Sequence, residues 1–289
     1  MRKVNIPKKS GGSRTIYVQG PMEKHIFRLL GYELSQFQEV AEVSCNGSPV
    51  IQGFTEGRSP VSNASLHVGK LFSLTVDMKD FFDTVTSDHL ILAGVKNDLA
   101  QDVCVDGATR QGLSSSPTAA NVAAIPLDKK ILSILPANVV YTRYADDLTF
   151  SSDNLQDLII LRDKLPGIIA GVGFKINPKK TRIQSSRFGR RIITGIAVDS
   201  VINPTRDQRR RLRAATFNTR RLIKLCRFLF WIGAQALTLL GLLLELNRKK
   251  IAKFTGLKEW CFLKPPTKSL GGKLYGTYVQ VETKRAFGE

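Results

Sequence analysis

Two adjacent acids, Asp146 and Asp147, lie in the stretch YTRYADDLTF, whose other residues are typical of β-strands. Adjacent carboxylates repel each other unless water or a cation offsets their charge. A hairpin turn is one interpretation, because Asp tolerates turn geometry. A metal site is the other, because Mg²⁺ prefers hard oxygen ligands and a cation would cancel the repulsion. The stretch alone leaves both interpretations open.

A third acid, Asp77, ends the strand-like segment KLFSLTVD. An unpaired carboxylate at the end of a buried strand costs several kcal/mol. A helix N-cap is the competing interpretation, because Asp77 or Asp80 could cap a helix that begins near Met78. Together with Asp146 and Asp147, however, Asp77 could hold two Mg²⁺ ions, or Mn²⁺ as a substitute. Two such ions roughly 3.5–4 Å apart suit in-line displacement at phosphorus.

The composition indicates a polyanionic partner. The chain has 289 residues, and its 43 Lys and Arg residues exceed its 24 acids to give a net charge of +19. Such an excess favours nucleic acid first and an anionic membrane second. The cysteines are scattered without a CxxC pair, which argues against a zinc ribbon or a disulfide framework and predicts a cytoplasmic protein. The first residues contain no apolar run, so no secretory signal peptide is expected.

Strand and helix patterns alternate along the chain. Two short strands are predicted within residues 1–20, and a helix is predicted to begin at Pro21. Further predicted helices cover residues 86–100, 116–133 and 154–170. After Pro204 the chain is predicted to be helical. This order indicates an α+β domain with a helical C-terminal appendage.

Six ordered blocks resemble the bacterial retron-type reverse transcriptases. In chain order they are NASLH, VDMKDFF, RQGLSSSPTAAN, YADD, FKINPKKT and RIITGIAVD. A single YADD would be a weak signal, but six blocks in the family's order, within residues 5 to about 205, are specific.

The resemblance implies a right-hand polymerase with fingers, palm and thumb. The fingers would comprise residues 1–70 with parts of 86–110, and the palm, an antiparallel sheet with helices, residues 71–203. A helical thumb (204–260) and a basic tail (261–289) would follow. By position, the catalytic metal ligands are Asp77, Asp146, Asp147 and the backbone carbonyl of Met78.

The resemblance also assigns residues that contact the incoming nucleotide. Lys9 and Arg14 flank a glycine turn and would bind the triphosphate, although an exposed basic hairpin is the simpler interpretation of those residues alone. Gln111 and Gly112 would approach the nucleotide and the template base. Many relatives have proline two residues after this glycine, whereas this chain has Ser114, so the loop is expected to be less stiff.

Two further positions have a functional and a structural interpretation. Phe82 occupies the place of the aromatic steric gate that excludes a 2′-OH, but it could be a core phenylalanine beside Phe81. Lys180 occupies the place of a lysine near the pyrophosphate, where it could donate a proton to the leaving group. Lys179 is an alternative donor, and a solvated basic turn is the other interpretation.

Nucleic-acid contacts are predicted in three regions. Asn63 and His67 belong to the NASLH block, although His67 could instead close a core hydrogen bond. A basic helical face would follow the nucleic-acid backbone, and it comprises Arg206, Arg209, Arg213, Arg220, Lys224 and Arg227. In the tail, Tyr275 and Tyr278 could stack on RNA bases. The apolar residues 228–244 are predicted to form a buried helix rather than a membrane span, because glycine and glutamine interrupt them.

The sequence therefore predicts an RNA-directed DNA polymerase that extends a 3′ or 2′ hydroxyl on a structured non-coding RNA with dNTPs. By resemblance, the product is a short cDNA or RNA–DNA hybrid (msDNA) in bacterial anti-phage defence, with an effector protein or an oligomer as further partners. The chain reaches NIPKKSGG almost at once, so we expect a minimal form whose RNA grip other chains could complete. A catalytically silent RNA-binding scaffold, an RNA-templated RNA polymerase and a membrane-anchored protein are the alternatives.

Overall fold

Short strands and helices alternate along the protein. The structure, a computed structural model, describes residues 1–7 and 11–217. The elements follow in this order: β1 (Arg2–Pro7), β2 (Ser13–Val18), α1 (Pro21–Ala41), β3 (Ser44–Cys45), β4 (Ser48–Pro49), α2 (Pro60–Ser65), β5 (Phe72–Asp77), α3 (Phe81–Thr84), α4 (Ser87–Ala93), α5 (Asn97–Asp102), α6 (Ser116–Ala123), α7 (Ile125–Ile134), β6 (Val140–Tyr144), β7 (Asp147–Ser152), α8 (Leu155–Ala170), β8 (Arg182–Ser185), β9 (Arg191–Ile193), β10 (Ile196–Val198) and β11 (Ile202–Asn203). Residues 206–217 are also helical.

A four-stranded antiparallel sheet carries the predicted acids. Its strand order is β6-β7-β5-β8, so β5 lies beside the hairpin formed by β6 and β7. The register of β5 and β7 runs from Phe72 opposite Ser152 to Asp77 opposite Asp147. Side chains directly opposite each other in an antiparallel pair project from the same face. The sheet therefore places Asp77 and Asp147 side by side at one of its ends.

One hydrophobic core supports this sheet. Helix α8 presents one buried face to it, because its buried residues recur every three or four positions, at Leu158, Leu161, Leu165 and Ile169. These side chains belong to the same apolar cluster as Leu74 and Phe150 of the sheet and Leu127 of α7. Full burial of each large apolar side chain stabilises the fold by about 1.5–3 kcal/mol.

Helices α6 and α7 correct the prediction of one helix over residues 116–133. The chain forms two helices that meet at Ala124. Pro126 lies in the first turn of α7, where its missing amide hydrogen needs no acceptor. Inside one continuous helix, the same proline would remove a backbone hydrogen bond and clash with the preceding turn.

The N-terminal hairpin docks on the segment that precedes α6. Strands β1 and β2 pair antiparallel, which confirms the two strands predicted within residues 1–20. The Tyr17 amide donates to the Gln111 carbonyl at 2.8 Å, and the Tyr17 hydroxyl donates to Asp106 at 2.7 Å. Gly112 has φ +104°, and a Cβ there would lie 2.4 Å from the Tyr17 carbonyl oxygen. Only glycine therefore permits this approach, which brings Arg14 to the same cleft as Gln111.

The chain divides into two compact units, Met1–Arg206 and Asp207–Glu289. In the second unit, the structure describes residues 207–217. The rest of the predicted thumb, the apolar stretch 228–244 and the basic tail lie outside the described residues. Among residues 1–7 and 11–217, no helix is both long and apolar enough to cross a membrane.

Candidate active site

A cleft of about 700 Å³ brings together residues from the N-terminal hairpin, the end of β5, the entry to α6 and the tip of the β6–β7 hairpin. Its volume lies in the range of small-molecule sites. Among its lining residues are Arg14, Asp77, Met78, Phe82, Gln111, Gly112, Asp146 and Lys180. The predicted nucleotide-binding residues in the described ranges thus share one cleft with two of the three acids.

Asp77 is the last residue of β5 and is only 4% exposed. Helix α3 begins at Phe81 with Asp80 at its N-cap position, so the alternative in which Asp77 caps a helix is wrong and the position predicted for Asp80 is confirmed. The carboxylate accepts a hydrogen bond from Lys180 Nζ at 2.7 Å. The adjacent Met78 amide donates to the Asp146 carbonyl at 2.9 Å. A direct backbone contact therefore links the end of β5 to the hairpin tip.

The hairpin tip adopts a backbone conformation that is unusual for its residue. Ala145 has φ +57°, in the left-handed region, which costs a non-glycine residue about 1–2 kcal/mol. The segment that contains Gly53 packs closely on this tip, because a Cβ at Gly53 would lie 2.7 Å from the Ala145 amide nitrogen. The turn interpretation and the site interpretation of YADD are therefore compatible, since the acids lie at the turn and beside Asp77.

Burial and mutual repulsion disfavour the ionised forms of the hairpin acids. Burial, followed by the Asp146 and Asp77 carboxylates, raises the pKa of Asp147 from 3.8 to about 6. Burial also raises the pKa of Asp146, and Asp77 adds to that effect. The hydrogen bond to Asp77 raises the pKa of the Lys180 ammonium. Clustered acids with raised pKa values are typical of catalytic sites and of cation-binding sites.

The acids offer suitable donors for a divalent cation, but they are not arranged as a complete metal site. Their carboxylate oxygens are the hard ligands that Mg²⁺ and Mn²⁺ prefer, and a bound cation would offset the burial and mutual repulsion that raise the pKa values of Asp146 and Asp147. Across the described residues, however, no three acidic, histidine or cysteine side chains are grouped to hold an ion. Asp77 is instead paired with Lys180, so metal binding by all three acids would require Asp77 to exchange this partner.

A fully buried polar network anchors the hairpin, and sequence reasoning missed it. Arg143, three residues before Asp146, donates through Nε and Nη2 to Asp128 of α7, and Nη2 lies 2.8 Å from Asp128 Oδ2. Arg143 also donates to the Asn121 carbonyl oxygen at 3.0 Å, and the Tyr141 hydroxyl donates to Asp128 at 2.7 Å. Both members of the ion pair have no exposed side-chain surface. The only sequence signal was an Arg within an apolar strand.

Comparison with known proteins identifies the family. The profile described as Reverse transcriptase (RNA-dependent DNA polymerase) matches residues 6–258. The chain belongs to this family.

Individual relatives agree with that assignment. The retron Mx65 reverse transcriptase of Myxococcus xanthus is 32% identical, over 72% of this chain and 53% of the relative. The retron Ec86 reverse transcriptase of Escherichia coli is 34% identical, over 53% of this chain and 50% of the relative. These relatives confirm the resemblance to retron enzymes. The chain spans about half the length of the curated relatives it matches.

Solved structures confirm the polymerase fold. Apo telomerase from Candida tropicalis, truncated from the C-terminal domain, has a TM-score of 0.50 at 15% identity, over 71% of this chain and 54% of that one. Telomerase from Candida albicans in complex with a TWJ fragment of telomeric RNA has a TM-score of 0.51 at 12% identity, over 71% and 46%. At these identities the likeness concerns the fold alone.

Phe82 lies between the cleft and the core, and its predicted role as a steric gate stays a prediction. Its ring lines the cleft, and it also packs against the hydrophobic core. Its centroid lies 5.8 Å from that of Phe81, and its carbonyl accepts a hydrogen bond from the Thr109 hydroxyl at 2.7 Å. Such packing fixes the position of a ring that a sugar could meet.

Asn63 and His67 do not lie where a nucleic acid could reach them. Both side chains are fully buried. His67 Nε2 shares a 2.8 Å hydrogen bond with the Thr142 hydroxyl, and the Asn63 amide donates to Thr194 Oγ1 at 3.4 Å. Burial lowers the pKa of His67 to about 3, and nearby Arg191 adds to the effect, so the ring is neutral. The core interpretation of His67 is confirmed, and the predicted RNA contacts at both positions are wrong.

The predicted basic face is only partly within the described residues. Arg206, Arg209 and Arg213 lie on the helix at 206–217 and are exposed. Several predicted contact residues lie outside the described ranges: Lys9, Arg220, Lys224, Arg227, Tyr275 and Tyr278.

Proposed function

We propose that this chain is an RNA-directed DNA polymerase that adds deoxynucleotides to a primer hydroxyl in the cleft. The observation that carries this proposal is the register that sets Asp77 opposite Asp147, together with the hydrogen bond from the Met78 amide to the Asp146 carbonyl. These two contacts bring the three acids together at the end of one sheet, beside residues that can bind a nucleotide. Membership of the reverse transcriptase family supports the same activity.

Divalent cations would be held by Asp77, Asp146 and Asp147, with the Met78 carbonyl as a further ligand. When bound, two Mg²⁺ or Mn²⁺ ions would acidify the primer hydroxyl and offset the charge that develops on the phosphates. The hairpin anchor through Arg143 keeps the acids in place, and the low exposure of Asp77 limits access of water to its carboxylate.

The other cleft residues would bind and orient the nucleotide. Arg14 is exposed at the cleft and can hold phosphate oxygens through two parallel hydrogen bonds. Gln111 and Gly112 line the wall at the entry to α6, where they would meet the nucleotide and the template base. Lys180 lines the cleft, and once Asp77 exchanges it for a cation its ammonium would be available to give a proton to the leaving pyrophosphate. Lys9 would assist Arg14.

The template would be a structured RNA. A net charge of +19 favours a polyanion, and the exposed Arg209 and Arg213 would contact its phosphates without reading sequence. The similarity to retron enzymes suggests a non-coding RNA primed from a 2′ or 3′ hydroxyl, and an RNA–DNA product. By the same similarity we propose a role in bacterial anti-phage defence, in which an effector protein or a further copy of the chain takes part.

Single-nucleotide primer extension on an RNA template tests this function. The wild-type chain should incorporate dNTPs in Mg²⁺ or Mn²⁺ and should use NTPs poorly. Asp146→Asn should lower incorporation by at least about 100-fold, as expected when several kcal/mol of transition-state stabilisation are lost, while RNA binding persists. Asp153→Asn is the matched control, because Asp153 pairs with Lys70 away from the cleft. Incorporation by Asp146→Asn at the control's rate would contradict the proposal.

A further inference from the structure

Phe54 has a conformation and an exposure that neither backbone preference nor burial explains. Its φ is +58°, in the left-handed region that a bulky residue adopts only under constraint. Its side chain is 51% exposed, so it gains little from removal from water. Glycine would adopt the same backbone without strain. A phenylalanine at this position therefore needs another reason, and strained residues often occur at functional sites.

The backbone before Phe54 is fixed to the catalytic hairpin. The Arg143 amide donates to the Val50 carbonyl at 2.8 Å, and the Gln52 amide donates to the Arg143 carbonyl at 2.8 Å. The Gly53 carbonyl accepts a hydrogen bond from the Asn121 side-chain amide at 2.8 Å. These bonds hold the segment in register with β6, so Phe54 has a defined position relative to the YADD tip.

The ring of Phe54 touches two aromatic rings of the site. Its centroid lies 6.1 Å from that of Phe82 in an edge-to-face arrangement with an interplanar angle of 60°. It lies 6.5 Å from the ring of Tyr144, the first residue of YADD, at an angle of 41°. Both separations fall within the range of attractive aromatic pairs. Phe81 contacts Phe82 as well, so Phe82 is restrained by the core and by Phe54.

We propose that Phe54 is a positioning residue for sugar selection, acting through Phe82. The proposal rests on the proposed function and on the steric-gate position that the family resemblance gives Phe82, where its ring would meet the sugar of the incoming nucleotide. A ring excludes a 2′-OH only if it cannot move away cheaply. Phe54 supplies an aromatic contact to Phe82 from a segment anchored to the hairpin, so it fixes the gate relative to the acids.

The test is the ratio of kcat/KM for a dNTP to that for the matching NTP, measured by single-nucleotide incorporation with the full chain. Phe54→Gly should lower this ratio by about 2- to 12-fold, the loss expected for one aromatic contact. Glycine suits the local backbone, so the variant should remain folded. Phe54→Tyr keeps the ring and should restore the ratio. Phe188→Ala removes a ring that is 96% exposed and should leave the ratio unchanged.

A double variant shows whether Phe54 works through Phe82. Phe82→Ala should lower the ratio further than Phe54→Gly does, and adding Phe54→Gly to Phe82→Ala should cause no further fall. An unchanged ratio in Phe54→Gly would overturn the inference, and so would equal losses with dNTP and NTP, because those indicate general packing or base stacking. Absence of dNTP incorporation by the wild-type chain would instead overturn the proposed function, and the inference with it.

Discussion

Replacing Asp128 by Asn should destabilise the protein strongly, because it leaves a buried charge without its counterion. Asp128 accepts hydrogen bonds from Arg143 and Tyr141, and neither Asp128 nor Arg143 has exposed side-chain surface. Asn has nearly the same shape, so the change removes the negative charge without creating a cavity. Breaking a fully buried ion pair in this way costs about 3–5 kcal/mol. We therefore expect the free energy of unfolding to fall by about that amount.

Urea unfolding followed by circular dichroism measures this loss. Asp163→Asn is the control, because Asp163 forms an exposed pair with Arg162, and exposed pairs contribute about 0–1 kcal/mol. The double variant Asp128→Leu with Arg143→Met removes both charges and should recover most of the stability lost in Asp128→Asn. A loss below about 1 kcal/mol in Asp128→Asn, equal to the control, would refute the reasoning that this pair anchors the hairpin.

Three further predictions concern the site and the basic helix. Because the pKa of Asp147 is raised from 3.8 to about 6, its ionisation lowers the free energy of unfolding as the pH rises. In urea unfolding with a chelator present, Asp147→Asn should therefore be more stable than wild type by roughly 3 kcal/mol at pH 8, and this gain should shrink towards pH 4. Gly53→Ala should lower primer extension at least several-fold, because its Cβ would lie 2.7 Å from the hairpin backbone, whereas Gly167→Ala, which meets no atom within 4 Å, should not. Replacing Arg209 and Arg213 by Gln should weaken RNA binding and reduce the slope of log K against log [salt] by about 1.5–2 in filter binding; an unchanged slope would exclude phosphate contacts.

Local patterns predicted the elements that carry the acids. The strand before Asp77 and the hairpin around Asp146 and Asp147 are both present, because alternating apolar residues and a short turn specify such elements directly. The N-terminal hairpin followed from its glycine turn. The shared cleft followed from family resemblance, since no single segment indicates which strand lies beside which.

The features that the sequence did not predict depend on contacts between residues that are far apart along the chain. Asn63 and His67 are polar residues, yet both are buried, and they hydrogen-bond to Thr194 and Thr142, which are distant in the sequence. Gly53 is required only because another segment, at Ala145, approaches it closely. Such constraints depend on residues that are far apart along the chain, so local periodicity contains no sign of them.

Direct measurement of bound Mn²⁺ tests most sharply whether the three acids hold the catalytic cations. Mn²⁺ can be titrated into the full chain, with a dNTP and an RNA template–primer present, and followed by electron paramagnetic resonance. We expect two ions bound per chain in the wild type, and a loss of at least one in Asp77→Asn and in Asp146→Asn, with no change in Asp153→Asn. Two ions bound with unchanged affinity after either of the first two substitutions would contradict a metal site built from these acids.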